Sequence, residues 1–488
     1  MERTLKIYYT SDLHGYLFQT DYISRQEKAM GLFSCAEEYK DGDNTLVIDG
    51  GDMLQGSALA YYCQTNNDNS VIAEGMNACG YDIVTVGNHD FNYGVKYLEG
   101  YLGKLNATCV CQNIRDKKSG RHPFGWVKRK LGNGLCIGIA GIVTDFVNKW
   151  EKEENLGDYE IEPPFTAAKR ALEEMREEVD ITICVYHGGF EANLDTGRLL
   201  ENSGENIGYR ICRELDYDQL LTGHQHMAVA GRKLFGTYTV QPSCNGRAYC
   251  ELQLIQGKGL KIASELHTPC LKRMCYPKAA GAVDKKVQLW LDKPLCHLKE
   301  DLLPEDKLSM ALHGSPIADM INRIQLKITG ADISCTSLAN EICGFHKELT
   351  VRDILTTYPF PNTLVVLEVT GRVLKAALER SAEYFTVREG KIRISEKFLR
   401  PKEEHYNYDY FYGITFERNF WSEEGERISE TKFHGKSIGM DDSFLLCLNS
   451  YRAGGAGGYD MYSGCRVVQV GTKEIAEKIL EYFSGCSL

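Results

Sequence analysis

Five short segments carry side chains able to hold metal ions or move protons. They are "TSDLHG" (Asp12, His14), "DGGDMLQG" (Asp52), "VGNHDFNYG" (Asn88, His89, Asn92), "VYHGG" (His187) and "TGHQHM" (His224, His226). Each stands at the C-terminal end of an apolar run, with glycine nearby to let the backbone turn sharply and approach a ligand. In open α/β sheets ligands bind beyond the carboxyl ends of strands, so the five ends can converge on one crevice. Asp12 and His14, two residues apart on an extended chain, point to one side, and so do His224 and His226. A lone histidine at a strand end is usually a hydrogen-bonded surface or core residue; the ordered set is what favours a metal site. Imidazole mixed with carboxylate suits divalent Mn, Zn, Fe, Ni or Co rather than Mg or Ca alone. Asp12, His14, Asp52, Asn88, His187, His224 and His226 are too many ligands for one ion, whereas two ions sharing Asp52 would use them all.

The elements that must position these residues follow from periodicity. Residues 1–265 alternate apolar runs ("LKIYYTSD", "NTLVIDGG", "YDIVTVGN", "LCIGIAGI", "ITICVYHG", "DQLLTGHQ") with helical patterns such as "FTAAKRALEEMREEV". Strands alternating with helices predict an α/β layered domain. "GTYTVQPS" and "RAYCELQLI" read as further sheet strands. From 266 to 306 the pattern becomes charged and helical, a helical linker carrying Pro294 and Pro304. Residues 307–488 read as a second, α+β domain. "SPIADMINRIQLKITGADISC" is a helix feeding a strand there, and "HYNYDYFYGITFER" is an aromatic strand.

Composition narrows the function further. At 488 residues two domains are the prior, and 43% hydrophobic with 25% charged residues is ordinary for a globular protein. The net charge of −11 argues against polymeric nucleic acid as a partner, while a bound metal can reverse the local sign for a small anionic substrate. No apolar stretch reaches the length of a membrane helix, so no membrane partner is expected. "MERTLKIYYTSDLHG" has no secretory-signal pattern, and the expected location is cytoplasmic. The 18 cysteines are scattered through apolar segments and read as reduced core thiols.

D-x-H, GD, GNH[DE], H-G and GH-x-H in this order resemble the calcineurin-like metallophosphoesterase domain. "TVRDILTTYPFPNTLVVLEVTGRVLKAALERSAEYF" and "LNSYRAGGAGGY" resemble the C-terminal domain of the nucleotidases that family contains. The implied fold is a metallophosphoesterase sandwich followed by an α+β nucleotidase domain. The resemblance implies that Asp12, His14, Asp52 and His226 hold one metal and that Asp52, Asn88, His187 and His224 hold the other. His89 would face the reacting phosphoryl group, stabilising charge or protonating the leaving oxygen. Two close cations lower the pKa of a water between them, making a metal-bridging hydroxide the implied nucleophile.

In the second domain the resemblance implies a nucleotide base stacked between Phe360 and Tyr451, with Asn362 hydrogen-bonding it. Asn92 stands where the 5′-nucleotidase branch usually has Asp. Asn is found in the branch that hydrolyses 2′,3′-cyclic nucleotides and 3′-nucleotides. "CTSLANEICGF" lacks the phosphate-binding Arg of the 5′-nucleotidases, and Asn340 is assigned to part of that space. The implied activity is hydrolysis of 2′,3′-cyclic nucleotides and 3′-nucleotides. A 5′-nucleotidase or nucleotide-sugar hydrolase is the alternative, and a non-catalytic nucleotide-binding protein the second. Members of this branch are commonly exported, in contrast to the location expected above.

Overall fold

The computed structural model describes residues 2–40, 42–200, 203–360, 362–400 and 402–485. The chain divides into two compact units, Met1–Gln288 and Leu289–Leu488.

The first unit is built on two six-stranded sheets. In one, Arg3–Thr10, Thr45–Asp49, Ile83–Val84 and Thr108–Cys109 run parallel, and Tyr249–Gln256 and Leu260–His267 extend the sheet antiparallel from the first strand. In the other, Cys136–Val143, Ile181–His187, Gln219–Thr222 and Thr237–Gln241 run parallel, flanked by antiparallel edge strands. Period-two alternation sets what each face buries. Ile183 and Val185 point into a core shared with Ile7, Tyr9, Ile48 and Ile139 from both sheets. Cys184 and Tyr186 point the other way, onto Ala168, Ala171, Leu172 and Met175 of the helix Pro164–Met175. Strands buried on both faces explain why these runs read as continuous apolar stretches. Thr10 pairs with Asp49, Asp49 with Val84, and Thr222 with Tyr186, so the metal-site segments leave their sheets at matched levels. The apolar run at 81–86 contributes only Ile83–Val84 to the ladder before the chain turns at Gly87.

The stretch expected to be a helical linker is only partly helical. The helix spans Lys278–Leu291, while Pro294–His297 pairs as a strand with Glu348–Thr350. Pro294 lacks the N–H an interior helical position needs and is tolerated at a strand's first residue.

The second unit centres on a five-stranded mixed sheet containing Ile333–Ser337, Thr363–Thr370, Asp409–Tyr412, Ser443–Asn449 and Arg466–Glu474. Its core joins Val365, Leu367 and Val369 to Leu374, Ala377 and Leu378 of the helix Gly371–Ala382. Arg452 is fully buried and bonds the equally buried Asp409 through Nε and Nη2. Among the described residues no disulfide forms, and no helix is long and apolar enough to cross a membrane.

Candidate metal centre

The loops after the matched strand ends are held by backbone contacts. Asp12 N–H donates to Gly51 O at 2.9 Å, and His14 N–H to Asp52 O at 2.7 Å. Asp12, His14, Asp52, His224 and His226 all have φ between 49° and 68°, a left-handed region that costs non-glycine residues energy. Gly87 permits a close approach between two of these loops, since a Cβ there would lie 2.1 Å from Asp52 Oδ1.

Asp90, in "GNHD", was not singled out from the sequence, yet it ties two of these loops together. Its Oδ2 accepts from Asp52 N and Gly87 N at 2.9 and 2.8 Å, and its Oδ1 from Met53 N and Leu54 N at 2.8 and 2.9 Å. The signal was its place in the motif, which a local reading treats as a turn residue.

The side chains gather in two clusters. Asp12, His14 and His226 form one, and Asp52, His187 and His224 the other; within each, one ligand atom per residue lies within 4.8 Å of the others. His14 Nδ1 bonds Gln55 O at 2.7 Å, which turns Nε2 to within 3.1 Å of His226 Nε2. His187 Nδ1 bonds Gly50 O at 2.7 Å, leaving Nε2 directed inward, 3.1 Å from Asp52 Oδ2 but outside hydrogen-bond geometry. Backbone carbonyls on the outer ring nitrogens fix the tautomer in the way expected of metal-ligating histidines. His224 Nε2 meets Glu205 Oε1 at 2.7 Å, and the Trp150 ring stacks on His224 with centroids 5.8 Å apart. Neither Glu205 nor Trp150 carried a sequence signal, because both reach the site from segments outside the motifs.

Electrostatics fit a demand for positive charge. Burial disfavours the charged forms of Asp12 and Asp52. The hydrogen bond from His226 to Asp12, and the charges of His187 and His89 beside Asp52, outweigh it and hold both carboxyls well below their usual range. Burial also opposes the imidazolium of His187, but Asp52 raises that group to about 10. Burial lowers His14 to about 4. Two buried carboxylates form a site in which cations are the natural counter-charge. The Oδ1 of buried Asn88 and the Nε2 of buried His187 have no hydrogen-bond partner. Buried polar atoms are normally satisfied, so two orphans beside an imidazole and carboxylate set fit bound divalent ions.

His89 is placed differently. Its N–H donates to Asp52 Oδ1 at 2.7 Å, its ring packs edge-on against His14, and its Nδ1 bonds Asn92 Oδ1 at 2.8 Å.

In the second unit the half-buried Phe360 ring meets Tyr358 and Tyr406 edge-on. Tyr451 is half-buried and lies under the Arg452 guanidinium, 5.7 Å from its ring centroid. The Asn362 carbonyl accepts from Ile475 N–H at 2.8 Å. Asn340 spends its amide on backbone, donating to Glu403 O at 2.7 Å and accepting from His405 N–H at 3.1 Å. A third cluster, Cys343, His346 and Asp353, is occupied with its own bonds: Asp353 Oδ1 accepts from His346 and Cys343, while Oδ2 caps a helix through Thr350.

Residues 5–228 match the family model for calcineurin-like phosphoesterases, and 298–464 match that for the 5′-nucleotidase C-terminal domain. The trifunctional nucleotide phosphoesterase protein YfkN of Bacillus subtilis is 22% identical over 98% of this chain, which spans 38% of that protein's length. The 2′,3′-cyclic-nucleotide 2′-phosphodiesterase/3′-nucleotidase of Salmonella typhimurium is 24% identical over 92% of this chain and 81% of its own. A crystal structure of a Staphylococcus aureus protein described as a 5′-nucleotidase superposes with a TM-score of 0.93 at 32% identity. It covers 99% of this chain and 97% of that one.

Proposed function

The chain belongs to the metallophosphoesterase nucleotidase family, in which a calcineurin-like domain precedes a 5′-nucleotidase C-terminal domain, and we propose that it hydrolyses 2′,3′-cyclic nucleotides and then the resulting 3′-nucleotides. Asp12, His14, Asp52 and His226 would hold one divalent ion, and Asp52, Asn88, His187 and His224 the other. When bound, two such ions supply Lewis acidity toward water and toward the phosphoryl oxygens. His89 turns Nδ1 to Asn92 and so presents Nε2 to the departing ribose oxygen. It gives the Nε2 proton to that oxygen and is left as the neutral ring with hydrogen on Nδ1, the tautomer that Asn92 Oδ1 accepts. Phe360 and Tyr451 stack the base, and Asn362 hydrogen-bonds it.

The observation that carries the choice of substrate is the 2.8 Å contact between His89 and Asn92, an amide where the 5′-nucleotidase branch has a carboxylate. The name of the Salmonella relative supports it. The similarity to the Staphylococcus protein favours a second reading, hydrolysis of 5′-nucleotides.

The test is phosphate release from 2′,3′-cyclic AMP, 3′-AMP and 5′-AMP in parallel, with protein stripped of metal and reloaded with Mn. Turnover of the first two should exceed that of the third, and His89→Ala should lower it by about 10²-fold or more. Faster turnover of 5′-AMP would select the second reading.

A further inference from the structure

Two side-chain amides, a backbone carbonyl and a carboxylate form a closed network behind His89. Asn92 Oδ1 faces His89 Nδ1, and Asn92 Nδ2 hydrogen-bonds Glu151 Oε1. The other Glu151 oxygen accepts from Asn155 Nδ2 at 2.7 Å, and Asn155 Nδ2 also reaches Asn92 O at 3.0 Å. Glu151 follows the helix Val147–Trp150, on the turn that also carries the Trp150 ring stacked on His224. One short segment therefore reaches both the metal cluster and the proton donor.

The chemistry of the four groups orders them. A carboxylate only accepts, so it must receive the NH₂ ends of both amides. Glu151 thereby determines which way the Asn92 amide points: NH₂ outward, oxygen toward His89. An oxygen at that position accepts only from a protonated Nδ1, so Nε2 is the atom left for substrate. Without the carboxylate, Asn92 could turn its NH₂ toward Nδ1, select the neutral tautomer with hydrogen on Nε2 alone and disfavour the imidazolium, the only form that can give up the Nε2 proton and remain a neutral ring.

We infer that Glu151 is a positioning residue for His89, acting through Asn92 and supplying one amide away the negative charge that an aspartate at 92 would supply directly. This rests on reading His89 as the proton donor to the leaving oxygen. It also explains how asparagine can be retained at 92: an aspartate there would face Glu151 carboxylate to carboxylate, an arrangement that like-charge repulsion disfavours.

The experiment uses the full-length, Mn-loaded protein with Glu151→Ala and the isosteric Glu151→Gln, each checked for unchanged thermal unfolding. Turnover is compared on 2′,3′-cyclic AMP, whose ribose alkoxide must be protonated as it leaves, and on bis-p-nitrophenyl phosphate, whose phenolate leaves unaided. The loss on the nucleotide should exceed that on the nitrophenyl ester by at least about tenfold in both variants, the signature of an impaired general acid. Equal losses on the two substrates would overturn the inference. Asn92→Asp alone should impair nucleotide turnover more than Asn92→Asp combined with Glu151→Gln, because the glutamine can donate to the new carboxylate. Additive losses would count against coupling through residue 92. A readout independent of activity comes from ¹⁵N-histidine NMR of the metal-free protein. The His89 signal, identified by its loss in His89→Ala, should report hydrogen on Nδ1 in the parent and a changed tautomer in Glu151→Ala. An unchanged tautomer would overturn the inference even if the parent hydrolyses no nucleotide, an outcome that would by itself refute only the proposed function.

Discussion

At the scale of single residues the site is organised by acceptors set behind the candidate ligands. Asp90 receives four backbone N–H groups from the loops that carry Asp52 and Asn88. Burial and the charge of Asp52 push its carboxyl up from its ordinary value, so only this dense set of donors makes the position tolerable. Asp90→Asn keeps the shape but turns an NH₂ toward one donor pair. Leaving buried N–H groups unpaired should cost about 2–4 kcal/mol in denaturant unfolding. Because Asp90 sits behind the ligands, metal affinity measured by calorimetric titration should fall by about 10–100-fold. Retention of full metal affinity would show that the loops hold their shape without it.

At the scale of elements the matched strand ends create the centre, and loop-to-loop packing sets its dimensions. The glycine at 87 lies against Asp52, with a Cβ placed 2.1 Å from Oδ1 and 2.6 Å from the Asp52 backbone nitrogen. Gly87→Ala must therefore push the loop carrying Asp52 away from the loop carrying Asn88. The expected result is a stability loss of about 1–3 kcal/mol, the usual size of an overpacking penalty. Binding of the ion assigned to Asp52, Asn88, His187 and His224 should weaken along with it. Metal stoichiometry by elemental analysis reads this directly, and two ions bound to Gly87→Ala would refute it. The element reading from sequence succeeded where period and burial agreed, as in Ile181–His187, buried at every residue. It overextended the helix beyond Leu291, because a charged stretch with helical spacing carries no local mark of the strand partner Glu348–Thr350.

At the scale of the whole molecule the chain assigns metal chemistry to Met1–Gln288 and, in the proposed reading, base recognition to Leu289–Leu488. That division has a kinetic signature. Phe360→Ala should raise KM for 2′,3′-cyclic AMP by about tenfold or more, the expected worth of one base–aromatic stack. It should have a smaller effect on bis-p-nitrophenyl phosphate, which has no base, and none on metal affinity, since every assigned ligand lies in the first unit. An equal effect on both substrates would remove Phe360 from the base site.

Sequence alone brought out the six residues that gather in the two candidate clusters, because each sits at a strand end where local apolar runs and glycines announce it and because mixed imidazole and carboxylate groups restrict the ion chemistry they could support. The order of the five segments likewise identified the phosphoesterase family before any contact was known. Tertiary structure alone decided the groups behind the ligands: Asp90 gathering two loops, Glu205 and Trp150 on His224, and Glu151 orienting Asn92. The physical reason is range. A ligand's local surroundings are written in its neighbours along the chain, whereas Glu151 meets Asn92 across 59 residues and Glu205 meets His224 across 19, contacts that exist only once the sheets have brought separate loops together.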